Sequence, residues 1–262
     1  MKENYKLSRR DFIKLTGLGF AGFVLKPKES GLYWPKEVVS RIETDKPEYA
    51  LTIDDGWRPD SLVTMLDILK EKGVKADFFL VGTAAISCEG KYPGILSRLA
   101  DEGHRIAYHT YSHDGNEIQK AKSSWLSSDY DDWMSLFKSI LGSARFKKAF
   151  FRGARAPGGA FTDEFIRFTQ KKGLTPYGWF SDPSTFNRGI PIKKGEILLL
   201  HVRFSDEDYL ARLDEFTDGP LIPTTISCLQ SQESCVSSCI KERDRLDNKL
   251  NKMEEIFRDD NR

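Results

Sequence analysis

Two imidazoles four residues apart, in His109-Thr-Tyr-Ser-His113, follow the apolar run Ile106-Ala107-Tyr108 and precede Asp114-Gly115. This is the pattern of a metal clamp at the end of a strand. A divalent ion held by two histidines takes a hard third ligand and keeps positions open for water. Upstream, Tyr49-Ala-Leu-Thr-Ile53 reads as a short strand running into Asp54-Asp55-Gly56, so two carboxylates stand where a strand ends and a turn begins. One could bind the ion and leave the other free to move protons. Each piece also has an ordinary reading, since histidine pairs occur on helix surfaces and Asp-Asp-Gly forms turns. The histidine distribution favours the site: the chain holds only 4, three of them (His104, His109, His113) within ten residues. The fourth, His201, directly follows the apolar run Ile197-Leu-Leu-Leu200.

The elements that must position these groups alternate short apolar strands with helical periodicity, which argues βα units in an α/β fold rather than a sandwich. Strands are expected at Tyr49–Ile53, Ala76–Val81, Arg105–Tyr108 and Lys148–Arg152, with two more ending near Trp179 and at His201. Helices are expected at Ser61–Leu69, Ile95–Ala100, Trp125–Leu141 and Thr162–Lys172. Asp54, Asp55, His109, His113, Arg155, Asp182 and His201 then all fall just after strands, and strand C-terminal ends share one face of a βα barrel. Six or seven units are visible rather than eight, so a distorted or open barrel is predicted. His104 precedes its strand and is read as a structural residue at the opposite end.

A chain of 262 residues with 39% apolar residues and a net charge of +1 suits one globular domain with appendages. With 40 basic against 39 acidic residues and no basic stripe, nucleic acid is not an expected partner. Residues 1–30 carry Ser8-Arg9-Arg10-Asp11-Phe12-Ile13-Lys14 before a short Gly-rich apolar run, which resembles a twin-arginine export signal. Export to the periplasm, envelope or exterior is therefore expected. No small-residue cleavage site follows, which leaves membrane association through an uncleaved signal open. The barrel is expected over 31–224. From 225 to 262 a charged helix with a near-heptad seam (Leu229, Val236, Cys239, Leu246, Leu250, Met253, Phe257) would dock on the barrel or form an oligomer contact. Cys88, Cys228, Cys235 and Cys239 allow two disulfides or buried thiols.

Taken in order, Leu51-Thr-Ile-Asp54-Asp55-Gly56, Ala76-Asp-Phe-Phe-Leu-Val-Gly82, Gly103-His104, His109 to His113, Arg155-Ala-Pro157-Gly-Gly159 and Leu198-Leu-Leu-His201 resemble successive motifs of a known family. It is the polysaccharide deacetylases of the NodB-homology type, carbohydrate esterase family 4, and the resemblance runs from about Pro47 to about Phe216. It implies a distorted (β/α)7 barrel and metal-dependent hydrolysis of an N-acetyl, sometimes O-acetyl, group on a glycan. Carried over by position, it implies that Asp55, His109 and His113 bind the metal, usually zinc. Asp54 would be the catalytic base, Arg155 its orienting partner and His201 the general acid. Leu198, Trp179 and Gly158 would contact substrate, Leu198 along the acetyl methyl and Gly158 near the oxyanion. One motif departs: Trp179-Phe-Ser-Asp182-Pro-Ser-Thr185-Phe186 has Thr185 and Phe186 where the family has a second Asp and Trp. That second Asp tunes the acid histidine in the family, so either Asp182 substitutes or His201 is less well oriented.

Three rival readings stand beside a deacetylase acting on peptidoglycan, a chitin-like oligomer or an exopolysaccharide. A small-molecule amidohydrolase on the same fold fits an export signal poorly. A carbohydrate-binding homologue with impaired catalysis would explain the altered motif, but drift would not spare both aspartates and three histidines. An iron oxygenase with two histidines and a carboxylate usually has an all-β fold, which the βα alternation disfavours.

Overall fold

Side-chain alternation with period two builds the barrel wall. In β1 (Glu48–Asp55), Tyr49, Leu51 and Ile53 join the larger apolar cluster beneath the helices. Ala50 belongs to a smaller inner cluster, whose face Thr52 and Asp54 share by parity. β2 (Asp77–Leu80) and β3 (Arg105–Tyr108) repeat the division, with Phe78, Leu80, Ile106 and Tyr108 outside and Phe79 and Ala107 inside. β4 (Phe150–Ala154), β5 (Thr175–Pro176), β6 (Ile197–His201) and β7 (Ile222–Thr224) complete the set.

The computed structural model describes residues 34–231, all within the unit Leu32–Arg262. Every described strand pair is parallel, in the order β5-β4-β3-β2-β1-β6, with β7 beside the start of β1. The helices Pro59–Glu71, Ile95–Asp101, Ser123–Leu141, Asp163–Lys172 and Phe204–Ala211 lie in the connections, as parallel strands require. The sheet curls until Ser181 bridges Leu198, which joins the chain beyond β5 to β6. Leu199 N donates to Ser181 O at 2.9 Å and Phe180 N to Ile197 O at 2.8 Å across that seam. The result is the expected distorted barrel. At its lower end, Ile226 and Leu229 of the helix Ile226–Gln230 enter the inner cluster, and Ile226 N donates to Asp77 Oδ2 at 2.6 Å.

Two strands differ from expectation. β4 begins at Phe150 because Ser143–Ala149 is a separate helix, restarted after Gly142 at φ 73, and it takes Phe146 and Ala149 into the core. β5 ends at Pro176 rather than near Trp179, since proline offers no N–H to extend the ladder and the chain crosses to β6. The expected helix at 162–172 forms as Asp163–Lys172, with Thr162 Oγ1 capping Phe165 N at 3.1 Å. The expected twin-arginine segment and the expected heptad seam beyond Leu229 lie outside the described residues. Among the described residues, no helix is long and apolar enough to cross a membrane. Cys228 is disulfide-bonded, whereas Cys88 is a free, buried thiol that donates to Gly56 O at 3.1 Å.

Candidate active site

The end of β1 turns sharply at Asp55, with φ 77, and Gly56 follows at φ 99. Beyond β3, Thr110 and His113 also have positive φ, at 66 and 58. These are the three non-glycine residues with positive φ among the described residues, and backbone held in that region marks sites the surrounding fold over-determines. The restraints are visible. Gly82 N and Thr83 N donate to Thr110 O and Tyr111 O at 3.1 and 2.9 Å. A side chain at Gly82 would press a Cβ to 2.7 Å from the Tyr111 ring. Buried Asp129 accepts from Tyr111 N at 2.9 Å and from the Tyr108 hydroxyl. His113 N donates to Thr110 Oγ1 at 2.9 Å.

This turn brings His109 Nε2 and His113 Nε2 to 3.3 and 3.2 Å from Asp55 Oδ1. His109 Nδ1 donates to Arg155 O at 2.8 Å, which leaves its Nε2 with the lone pair. Asp55 Oδ1 is buried and makes no well-formed hydrogen bond among the described residues. One ligand atom from each of Asp55, His109 and His113 lies within 4.8 Å of the others. Bonds of about 2.0–2.1 Å around a tetrahedral ion separate its ligands by roughly 3.3 Å, so these residues fit a divalent metal. Burial opposes ionisation of Asp55, but His109 and His113 outweigh it and hold the carboxyl well below the usual range. Burial likewise disfavours a charged His109, yet Asp54 and Asp55 raise its pKa above the ordinary imidazole value.

Asp54 is 2% exposed, and its Oδ2 stands 3.7 Å from His109 Nε2. Arg155 Nη1 donates to Asp54 Oδ1 at 2.6 Å and to Thr52 Oγ1 at 3.0 Å. The remaining fork is spent on Tyr177 O (Nε, 3.0 Å) and Gly178 O (Nη2, 2.9 Å), with the Phe79 ring 4.2 Å beneath the guanidinium. Asp54 is thus a buried carboxylate aimed at the same point as the metal-type cluster.

His201 closes the site from β6, in register with Asp54 of β1. Its N–H donates to Asp206 Oδ2 at 2.7 Å, and its Nδ1 is 3.7 Å from the same oxygen. Burial opposes ionisation of Asp206, but His201 and Arg203 carry its pKa below the usual carboxylate range.

Residues 41–177 match the profile of the polysaccharide deacetylase family, more than half of the chain. The chain belongs to the polysaccharide deacetylase family. A chitooligosaccharide deacetylase of Sinorhizobium fredii is 30% identical over 178 residues, 62% of this chain and 75% of the relative. A peptidoglycan-N-acetylglucosamine deacetylase of Listeria monocytogenes is 31% identical over 185 residues, 64% of this chain and 36% of the relative. A family 4 carbohydrate esterase structure from Bacillus anthracis superposes with TM-score 0.60 at 25% identity, covering 74% of this chain and 86% of that one. The matched span thus varies from about a third to three quarters of these curated relatives' lengths.

Within this deacetylase-family barrel, Asp54, Asp55, His109, His113, Arg155 and His201 converge as expected from sequence. Leu198 does not join them: it is fully buried in the cluster beneath the helices. Counting by two from His201 puts Leu199, not Leu198, on the site face. Asp182 is also engaged elsewhere. It caps the short helix Pro183–Phe186, accepting from Ser184 N at 2.8 Å and Thr185 N at 3.2 Å, and it accepts from Trp179 Nε1 at 3.2 Å. Trp179 stands 5.9 Å from the Arg155 guanidinium, with Trp34 packed edge-on at 4.6 Å. Gly158 lies exposed at φ 60 in the loop after β4. His104 sits at the other end, buried, its Nδ1 accepting from Ala76 N at 3.2 Å, and burial lowers its pKa to about 3. Sequence reading missed Thr52, Asp129, Asp206 and Trp34. Asp206 carried a faint signal, an acidic residue in the first turn of a helix directly after the histidine strand.

Proposed function

We propose that the protein is a metal-dependent hydrolase that removes N-acetyl groups from a glycan. One observation carries this reading: adjacent carboxylates divide, Asp55 converging with two imidazoles while Asp54 is gripped by Arg155. Asp55, His109 and His113 would hold the metal, and the two-nitrogen, one-oxygen set suits zinc. The bound ion supplies a water acidified toward neutrality and polarisation of the acyl oxygen.

The chain's own groups do the rest. Asp54, held by Arg155, is placed to accept the water's proton as the oxygen attacks the acyl carbon. Leu199 offers an apolar wall to the methyl group. A backbone N–H near Gly158 is suited to the developing oxyanion. His201 donates a proton from Nε2 to the nitrogen, so that the C–N bond breaks to release an amine rather than an amide anion. Arg155 keeps Asp54 fixed throughout.

The relatives' names direct attention to polymers of N-acetylglucosamine, chitin-like or peptidoglycan. Export by the twin-arginine segment agrees with such a substrate, as does the disulfide at Cys228, because disulfides persist in oxidising compartments. Exposed Trp57, whose ring meets the His113 edge at 6.3 Å, offers an aromatic face for a sugar ring next to the cluster. A weakly catalytic glycan-binding homologue is the second reading, favoured by Thr185 and Phe186 alone. Acetate release from N-acetylglucosamine oligomers and from peptidoglycan, by zinc-loaded protein and by His109→Ala, tests the proposal. Release by the parent only is expected; none from the metal-loaded parent would reject it in favour of the second reading.

A further inference from the structure

We propose that Asp206 is the positioning residue of His201, a carboxylate brought from the helix that follows the histidine rather than from the Trp179–Phe186 segment that precedes it. The inference rests on the reading of His201 as general acid. Asp206 is 1% exposed, and its position is fixed from three directions: Oδ2 by His201 N at 2.7 Å, Oδ1 by Arg203 Nε at 2.8 Å and Ser205 Oγ at 3.0 Å. Beside it, His201 Nδ1 is buried and has no hydrogen-bond partner among the described residues, yet it lies 3.7 Å from Asp206 Oδ2. The ring itself remains 29% exposed, so one edge faces the carboxylate while the other is open to a ligand.

Among the described residues, no other acid competes for that nitrogen. Asp182 is occupied by its cap and by Trp179. Asp54 places Oδ1 on Arg155 and Oδ2 toward His109, and Asp55 faces His109 and His113, although its field also reaches His201. Arg203, the near cation, is turned onto Asp206. The spacing makes the pair local: the turn at Val202 and Arg203 and the first helical turn are enough to build it. An Nδ1–H held toward Asp206 fixes the tautomer and stabilises the imidazolium. Nε2 then carries the proton given to the departing nitrogen, and Nδ1–H remains on the carboxylate afterwards.

The test compares the parent with Asp206→Asn and Asp206→Glu on an N-acetylglucosamine oligomer and on an aryl acetate, whose aryloxide leaves without a proton. Asp206→Asn is expected to lower kcat on the amide about tenfold to a hundredfold with KM within about twofold. The amide-to-ester rate ratio should fall at least tenfold, roughly by the loss of the proton-donating step alone. The alkaline limb of kcat should move about one pH unit toward acid, since the opposing charge is lost. Asp206→Glu should recover part of the amide activity. In ¹⁵N spectra of the imidazoles, the protonated Nδ1 of His201 should be present in the parent and lost in Asp206→Asn. An equal loss on both substrates with the His201 Nδ1 signal unchanged would overturn the proposal. A parent that hydrolyses neither substrate would reject the proposed function instead, and the nitrogen spectra would still decide the Asp206 pairing.

Discussion

Arg155 Nη1 stands 2.6 Å from Asp54 Oδ1, and both side chains are closed to solvent. A buried ion pair of this kind contributes little net stability, but removing one partner leaves the other uncompensated. Arg155→Met is therefore expected to cost about 3–5 kcal/mol in urea unfolding, on that same account. Asp54→Asn should cost less, because its amide oxygen still accepts from Nη1. Arg155→Lys keeps the charge but abandons the carbonyls of Tyr177 and Gly178, so activity should fall at least about tenfold. Wild-type turnover by the lysine variant would contradict the orienting role.

The metal cluster predicts binding behaviour apart from catalysis. On the proposed role, His109→Ala removes a ligand and should reduce zinc affinity by several orders of magnitude in calorimetry. Asp129→Asn removes no metal-type side chain but weakens the carboxylate that accepts from Tyr111 N and the Tyr108 hydroxyl, with an expected loss of about tenfold to a hundredfold. Identical affinities for Asp129→Asn and the parent would show that the loop needs no such anchor.

Asp77 links stability to pH. Burial pushes its carboxyl up to about 7, against the pull of the Ile226 N–H and of Arg105 and Arg155. An unfolded aspartate titrates near about 3.9. Between those values the folded protein keeps a proton that the unfolded chain has released. The contribution is complete below about pH 4 and is lost as pH rises to about 7, on the order of a few kcal/mol. Asp77→Asn keeps an acceptor for Ile226 and abolishes the titration. Urea midpoints measured near pH 5 and pH 8 should fall for the parent relative to the variant, and parallel changes would refute the linkage.

How much was legible from the sequence depended on whether the chemistry was local. Asp54-Asp55 and His109 to His113 sit at strand ends marked by apolar runs, and the fold brings them together as read. Leu198 has the opposite parity to His201, which counting by two along the strand shows; the run of three leucines offers no compositional cue to it. Asp182 followed by Pro183 and Thr185 is an N-cap signature, so its structural engagement was readable from the same letters. Asp129 was not, because it stands 18 positions from Tyr111 and only tertiary packing brings the two together. The early end of β5 was half legible: Pro176 is a local stop, whereas the seam with β6 is a long-range contact no local pattern announces.

Trp57 is 44% exposed and borders a recess of about 450 Å³ lined by Trp57 to Ser61. If a sugar ring stacks there, Trp57→Ala should raise KM for an oligosaccharide several-fold with a smaller change in kcat, and oligomer titration should quench the parent's tryptophan fluorescence. A matching loss confined to kcat would assign Trp57 to the chemistry instead.

The division between adjacent carboxylates is tested most directly by measuring bound zinc and acetate release together for Asp54→Asn and Asp55→Asn beside the parent. The account predicts that Asp54→Asn keeps stoichiometric zinc and loses acetate release by at least about a thousandfold, on the scale of general-base catalysis. Asp55→Asn should lose the zinc as well. Zinc lost equally from both variants, or acetate released at the parental rate by zinc-loaded Asp54→Asn, would contradict it.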